Sequence, residues 1–169
     1  MATYLTEREA RDFAVKKARN GRGIFAKHAF RTGETLFRVM GKLITCDEDD
    51  EVDDVTRANT YRYDEDRFLS PAGRLGDFLN HSCAPNAKIV KDGRKLLLKA
   101  VRPIEAGEEV VMDYATILAA DDVWTMRCRC GTPKCRRTIR SYAAMPPKAR
   151  AALRAARLIP AYILAIKAW

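Results

Sequence analysis

The stretch "DFLNHSCAPN" (residues 77–86) places Asn80, His81, Ser82, Cys83 and Asn86 within ten positions, and "RCRCGTPKCRR" (127–137) brings three more cysteines, Cys128, Cys130 and Cys135. A structural zinc ion takes four thiolate or imidazole ligands in a tetrahedron, about 2.3 Å from each sulfur. The C-x-C-x4-C spacing supplies three ligands from one loop, in which Gly131 and Pro133 let the backbone turn tightly, and Cys83 is the natural fourth. Arg127, Arg129, Lys134, Arg136 and Arg137 would offset the negative charge of a zinc tetrathiolate. Four unconnected thiols with a redox role are the other reading. Cys46 stands apart as a small, at least half-buried residue. On the zinc reading, a C-terminal loop is stapled to the Asn-His segment, and the ion anchors one wall of whatever Asn80 and His81 line.

The remaining totals bound the fold. The 169 residues suffice for one domain with a core, and 47% hydrophobic with 31% charged residues is globular composition. The start, "MATYLTEREARDF", has no signal-peptide pattern, and no window nears the ~20 apolar residues of a membrane span. The expectation is a soluble, cytoplasmic protein, or a nuclear one in a eukaryotic host, in whose reducing milieu clustered thiols point to metal. The net charge of +9 is unevenly placed: residues 123–169 hold eleven Lys and Arg and no acid, whereas "DEDDEVDD" (47–54) is acidic at seven of eight positions. Solvated surface explains either run; so does a partner of opposite charge.

Along the chain, Thr6-Glu7-Arg8-Glu9 has the form of a capping box. "FAVKKARNGRGIFA" (13–26) reads as two extended pieces broken by Gly21 and Gly23, "GETLFRVMGKLIT" (33–45) as strand, turn, strand, and "YRYDEDRFLS" (61–70) as a short hairpin. The acidic run between them belongs on a loop or a weak helix. "NAKIVKDGRKLLLKAV" (86–101) is a hairpin with Asp92-Gly93 at its turn, and "GEEVVMDYA" (107–115) a turn and strand. Pro146-Pro147 opens a terminal helix that Pro160 breaks or kinks. Many short strands with one terminal helix describe a mainly β domain.

Four segments in order, "GRGIFA", "FLNHSCAPN", "GEEVVMDYA" and "CRCGTPKCRR", resemble the SET-domain protein lysine methyltransferases with a post-SET cysteine segment. The resemblance covers about residues 15–140. It implies small curved β-sheets with short helices, a C-terminal segment threaded beneath a loop as a pseudoknot, an exception to unthreaded chains, and a narrow channel joining an S-adenosylmethionine face to a target-lysine face. The implied organisation is a SET domain over 1–122 with an acidic insert at about 46–75, a zinc segment at 123–140, and a helical tail, 141–169, packed on the same domain. Residue by residue, Gly21, Arg22 and Gly23 match the cofactor loop, Asn80 and His81 the pair that holds the cofactor, Tyr114 the catalytic tyrosine, and Cys83, Cys128, Cys130 and Cys135 the zinc ligands. Trp124 would cover the adenine or anchor its loop. Tyr61 and Tyr63 would line the lysine channel or pack within their hairpin, and Met112 sits where Phe or Tyr often tunes methyl count. Three positions depart from the pattern: Asp77 stands where many members have Arg, Met112 replaces an aromatic residue, and Arg137 stands where the common Cys-Arg-Gly ending has Gly.

Methyl transfer from a sulfonium to an amine is an in-line displacement that needs alignment and electrostatics rather than a protein nucleophile. Entry into an apolar channel facing a positive sulfur lowers the lysine pKa from its reference of about 10.4. The Tyr114 hydroxyl would then hold the amine on axis. Asp49, Asp50, Asp53 and Asp54 would steer a basic protein substrate, histone-like or ribosomal, to the insert. Two rivals are a zinc-stabilised basic module that binds nucleic acid through the C-terminal tail without catalysis, and a SET-like domain that binds peptide without turnover, which Asn80, His81 and Tyr114 argue against.

Overall fold

A computed structural model of the chain describes residues 5–51 and 57–166, with 50 and 51 described by backbone alone. The first helix, α1 (Glu7–Asp12), starts with the capping box: Glu9 N donates to Thr6 Oγ1 (3.2 Å) and Thr6 N to Glu9 Oε2 (2.8 Å). Strands β1 (Phe13–Lys17) and β2 (Arg22–Ala26) form the antiparallel pair that the glycine-broken stretch predicts. Then come β3 (Thr35–Val39), β4 (Lys42–Thr45) and helix α2 (Cys46–Glu51). The acidic run therefore begins as helix rather than loop. Its carboxylates stand at the positive N-terminal end of the backbone dipoles, and Thr45 and Glu48 cap each other's amides (Glu48 N to Thr45 Oγ1 3.2 Å, Thr45 N to Glu48 Oε2 2.8 Å).

Strands β5 (Tyr61–Arg62) and β6 (Arg67–Ser70) form the expected short hairpin, and β4 joins it in a three-stranded sheet, β4-β6-β5. β7 (Asn80–His81), β8 (Ala87–Asp92), β9 (Lys95–Ala100) and β10 (Glu109–Met112) complete a second sheet of order β1-β2-β10-β8-β9-β3, with β7 also on β10. In the β8–β9 hairpin, Asp92 pairs with Lys95 across Gly93-Arg94, and Gly93 takes the left-handed φ of +54° that this turn needs. Side chains alternate along it, so Ile89, Leu96 and Leu98 enter a core shared with Phe13, Ile24 and Ile104.

The crossing at β10 positions the site. Both β7 and β8 run parallel to it, with His81 and Ala87 each opposite Met112, so residues 82–86 cross from one flank to the other at its C-terminal end. Asn86, fully buried, pins the crossing. Its Oδ1 accepts from Val111 N (2.8 Å) and its Nδ2 donates to Glu109 O (2.7 Å). Each such bond, buried and fully matched, would cost about 1–3 kcal/mol to break one-sidedly.

The C-terminal part adds a two-stranded ladder, β11 (Met126–Arg127) with β12 (Thr138–Ile139), and helices α3 (Pro147–Ala155) and α4 (Ala161–Ala165). Pro160 separates the helices and stands at the N-terminus of α4, because a proline there forfeits no intrahelical bond. Tyr142, Met145, Leu153, Ile159 and Ile163 pack with Ala115, so the tail lies directly behind Tyr114.

Candidate active site

Tyr114 opens the short 3-10 turn Tyr114–Thr116 that follows β10. Its hydroxyl donates to Leu79 O (2.5 Å), its amide donates to His81 Nδ1 (3.1 Å), and its ring meets the His81 imidazole edge-on at 5.3 Å. Burial, with the nearby Glu109 charge, pushes the phenol above its ordinary pKa. The group is therefore a fixed neutral hydroxyl at neutral pH and no base.

Two cavities meet at this side chain. One, about 290 Å³, is lined by Asn20, Asn80, His81, Tyr114, Arg127 and Ile139 among others. The other, narrower at about 40 Å³, is bounded by Tyr61, Phe68, Leu79, Tyr114, Leu118 and Trp124, with Asp49 and Asp122 also on its lining. Tyr114 and the Asn-His pair are thus brought together. Asn80 Nδ2 donates to Glu109 Oε1 (2.7 Å) and Arg22 O (3.0 Å). Gly23 makes room for this: a methyl group there would lie 2.3 Å from Glu109 Oε1 and 2.9 Å from Asn80 Nδ2. Gly21 takes a φ of +73° at the preceding turn and borders a neighbouring groove with Arg19, Arg127 and Arg129. Arg22 lays its guanidinium over the Phe78 ring at 4.7 Å.

The other expected positions divide between the narrow cavity, a separate groove and the core. Trp124, expected over a cofactor adenine or as a loop anchor, packs against the Cys83–Cys128–Ile139 cluster as an anchor would, and lines the narrow cavity rather than the one containing Asn80. Tyr61 lines the narrow cavity and donates to Gly76 O (2.7 Å), whereas Tyr63 faces a separate groove, donates to Arg94 O (3.1 Å) and stacks under Lys91. Met112 is fully buried in the main core and lines neither cavity. Asp49 is buried beside Arg57 (3.8 Å) rather than displayed on the surface. The Asp50 side chain and all of Asp53 and Asp54 lie outside the described residues. Asp77 accepts from Gly73 N, and burial raises its pKa.

The thiols converge as their spacing predicts. Cys83 and Cys128 sulfurs are 3.8 Å apart, and Cys128 and Cys135 3.6 Å. Four thiolates 2.3 Å from a zinc ion stand about 3.8 Å from one another by tetrahedral geometry, so the donor set fits zinc. His81, Cys83, Cys128 and Cys130 form the group whose donor atoms all lie within 4.8 Å of one another, and Cys135 adjoins it through Cys128. His81 Nε2 is 3.3 Å from Cys83 Sγ. Because His81 Nδ1 accepts from Tyr114 N, a neutral ring carries its proton on Nε2 and donates it to the sulfur. Burial holds the imidazole neutral, lowering its pKa to about 4. His81 is thus arranged to support the Cys83 thiolate, and the donor group as it stands is compatible with a zinc ion. The site as a whole is two cavities sharing one tyrosine wall, braced by a thiol cluster.

Sequence reasoning assigned no role to Asn86, Glu109, Asp113 or the Leu79 carbonyl. Asn86, Glu109 and Asp113 all stand within the quoted motifs, but their partners are distant in sequence, and the Leu79 carbonyl is a backbone group; spacing reveals neither.

The SET domain family model matches residues 21–115, more than half of the chain, and the chain belongs to that family. Histone-lysine N-methyltransferase Su(var)3-9 of Drosophila melanogaster is 31% identical over 149 residues, covering 71% of this chain and 23% of that protein. Histone-lysine N-methyltransferase set1 of Dictyostelium discoideum is 30% identical over 129 residues (69% and 8%), and an H3 lysine-4 specific histone-lysine N-methyltransferase of Schizosaccharomyces pombe 42% over 82 residues (45% and 9%). The chain spans less than a quarter of the length of each.

Proposed function

We propose that the protein is an S-adenosylmethionine-dependent protein-lysine N-methyltransferase. The observation that carries the reading is that Tyr114 lines both cavities, one beside Asn80 and His81 and the other beside Tyr61, Leu79 and Trp124. A donor and an acceptor admitted from opposite sides would meet at its hydroxyl. Membership of the SET domain family and the names of the relatives support the same chemistry.

S-adenosylmethionine would supply an electrophilic methyl group on the Asn80–His81 side, where Asn80, the Gly21–Gly23 turn and the groove arginines would hold it. Tyr61, Phe68, Leu79, Leu118 and Trp124 would strip water from an entering lysine stem, so that its ammonium releases a proton to solvent before transfer. The Tyr114 hydrogen is committed to Leu79 O. Its oxygen lone pairs therefore face the amine, accept one of its N–H groups and aim the nitrogen lone pair along the line of transfer. The zinc ion would cross-link the loop and take no part in transfer.

The substrate class is a basic protein, histone-like or ribosomal, consistent with the relatives' names and the acidic insert. Asp49 serves this as cavity lining rather than as surface charge, which leaves long-range steering to exposed Asp47 and to 50, 53 and 54. A zinc module binding nucleic acid without catalysis accounts for neither the paired cavities nor the family match. Mass spectrometry of histone and ribosomal protein mixtures incubated with S-adenosylmethionine tests the proposal. Lysine adducts in steps of about 14 Da are expected, and their absence from every basic substrate, with the cofactor demonstrably bound, contradicts it.

A further inference from the structure

We propose that Arg136 is a positioning residue that ties the thiol cluster to the turn bearing Tyr114, so that displacement of the cluster unsettles the hydroxyl. Arg136 follows Cys135, and its two ends engage different parts of the site. Its amide donates to Cys83 Sγ (3.4 Å), while its guanidinium Nη2 donates to Asp113 Oδ1 (2.6 Å).

Asp113 is fully buried, and the same Oδ1 accepts from Ala115 N (3.1 Å), capping the turn that starts at Tyr114. A buried carboxylate needs a cation, since an unpaired one costs several kcal/mol. His81 Nδ1 lies 3.6 Å from Asp113 Oδ1, but its lone pair is engaged by Tyr114 N, so the ring does not supply the charge. Among the described residues Arg136 is the one formal cation paired with Asp113. A second link runs alongside, from Cys83 through His81 Nε2 and Nδ1 to the Tyr114 amide. The thiol cluster thus reaches the catalytic turn at two atoms, Asp113 Oδ1 through Arg136 and Tyr114 N through Cys83 and His81. Replacing Arg136 severs one hold and leaves every thiol in place.

The kinetic arm of the test rests on the transferase reading; the metal arm does not. In the full chain, Arg136→Met should retain one zinc per chain but release it to a chromogenic chelator at least tenfold faster, because a cation beside the thiolates is gone. Measured 20 °C below each variant's melting temperature, kcat should fall at least tenfold, with KM for a basic peptide and the cofactor Kd within threefold of wild type. In Asp113→Asn the buried charge is absent, so adding Arg136→Met to it should change kcat by less than threefold. Arg136→Lys, which keeps a cation, should recover part of the loss and covers the case in which Arg136→Met does not fold. Unchanged kcat and unchanged zinc release, or losses that multiply in the double variant, overturn the proposal. A wild type without methyl transfer sinks the transferase reading instead and leaves zinc release to decide this one.

Discussion

The two walls that Tyr114 joins are built by different means. The strand side belongs to a core of more than twenty buried residues, including Phe13, Ile24, Leu36, Leu98 and Ile104, and each fully buried large side chain contributes about 1.5–3 kcal/mol. The C-terminal loop has an apolar centre of only Cys83, Cys128 and Ile139, with Tyr114, Leu118 and Trp124 at its margin. A centre that small does not offset the entropy of ordering the loop, so a cross-link at the thiols must. If the thiols hold the proposed zinc ion, the site is half self-supporting and half dependent on that ion, and the two halves should fail separately.

The sharpest break of that comparison is Cys128→Ser. It should abolish zinc binding and lower methyl transfer by about a thousandfold or more, yet leave the far-ultraviolet circular dichroism of the strand core close to wild type; loss of metal usually costs a small site its fold. Collapse of the whole spectrum would show that the halves are one cooperative unit. Next in size, Tyr114→Phe removes the hydroxyl shared by the two cavities and should reduce kcat about a hundredfold, the scale of one lost transition-state contact, with cofactor affinity within threefold by calorimetry. A smaller effect is expected of Gly23→Ala. The added methyl must displace Glu109 or Asn80, so cofactor Kd should rise about tenfold while peptide KM stays near wild type.

The mildest prediction concerns pH. Burial raises the Asp122 pKa to about 6 despite its ion pair with Arg62 (3.0 Å). A carboxylate whose folded pKa is raised is stabilising when protonated, so its contribution falls as pH rises through 6. Between pH 5 and pH 8 that amounts to about 1.4 kcal/mol of unfolding free energy. Asp122→Asn should flatten the denaturation profile over that window, and because Asp121 still pairs with Arg62 (2.8 Å), the variant should fold.

Much of this was legible in the sequence. Short alternating strands, the Gly93 hairpin, the capping box at Thr6 and the break at Pro160 are local signals, set by neighbours within a few residues. The thiol cluster and the Tyr114–His81 meeting were legible through the four ordered motifs, since spacing alone does not say which distant segments touch. What stayed hidden depends on burial. Met112 and Tyr63 look like channel residues by position, yet one faces the core and the other a separate groove, because spacing does not give the direction of a side chain. Asp49 reads as surface charge and is buried beside Arg57. Arg136 was visible only as one of several basic residues around the cysteines, and its partner Asp113 emerges only when the loop folds back on β10.

The most direct test of the central claim is a crystal structure with S-adenosylhomocysteine and a lysine peptide bound together. The account predicts the cofactor sulfur on the Asn80–His81 side, the lysine nitrogen on the Tyr61–Trp124 side, and the Tyr114 hydroxyl within hydrogen-bonding distance of that nitrogen. Sulfur and nitrogen entering from one side, or both lying remote from residue 114, would contradict it.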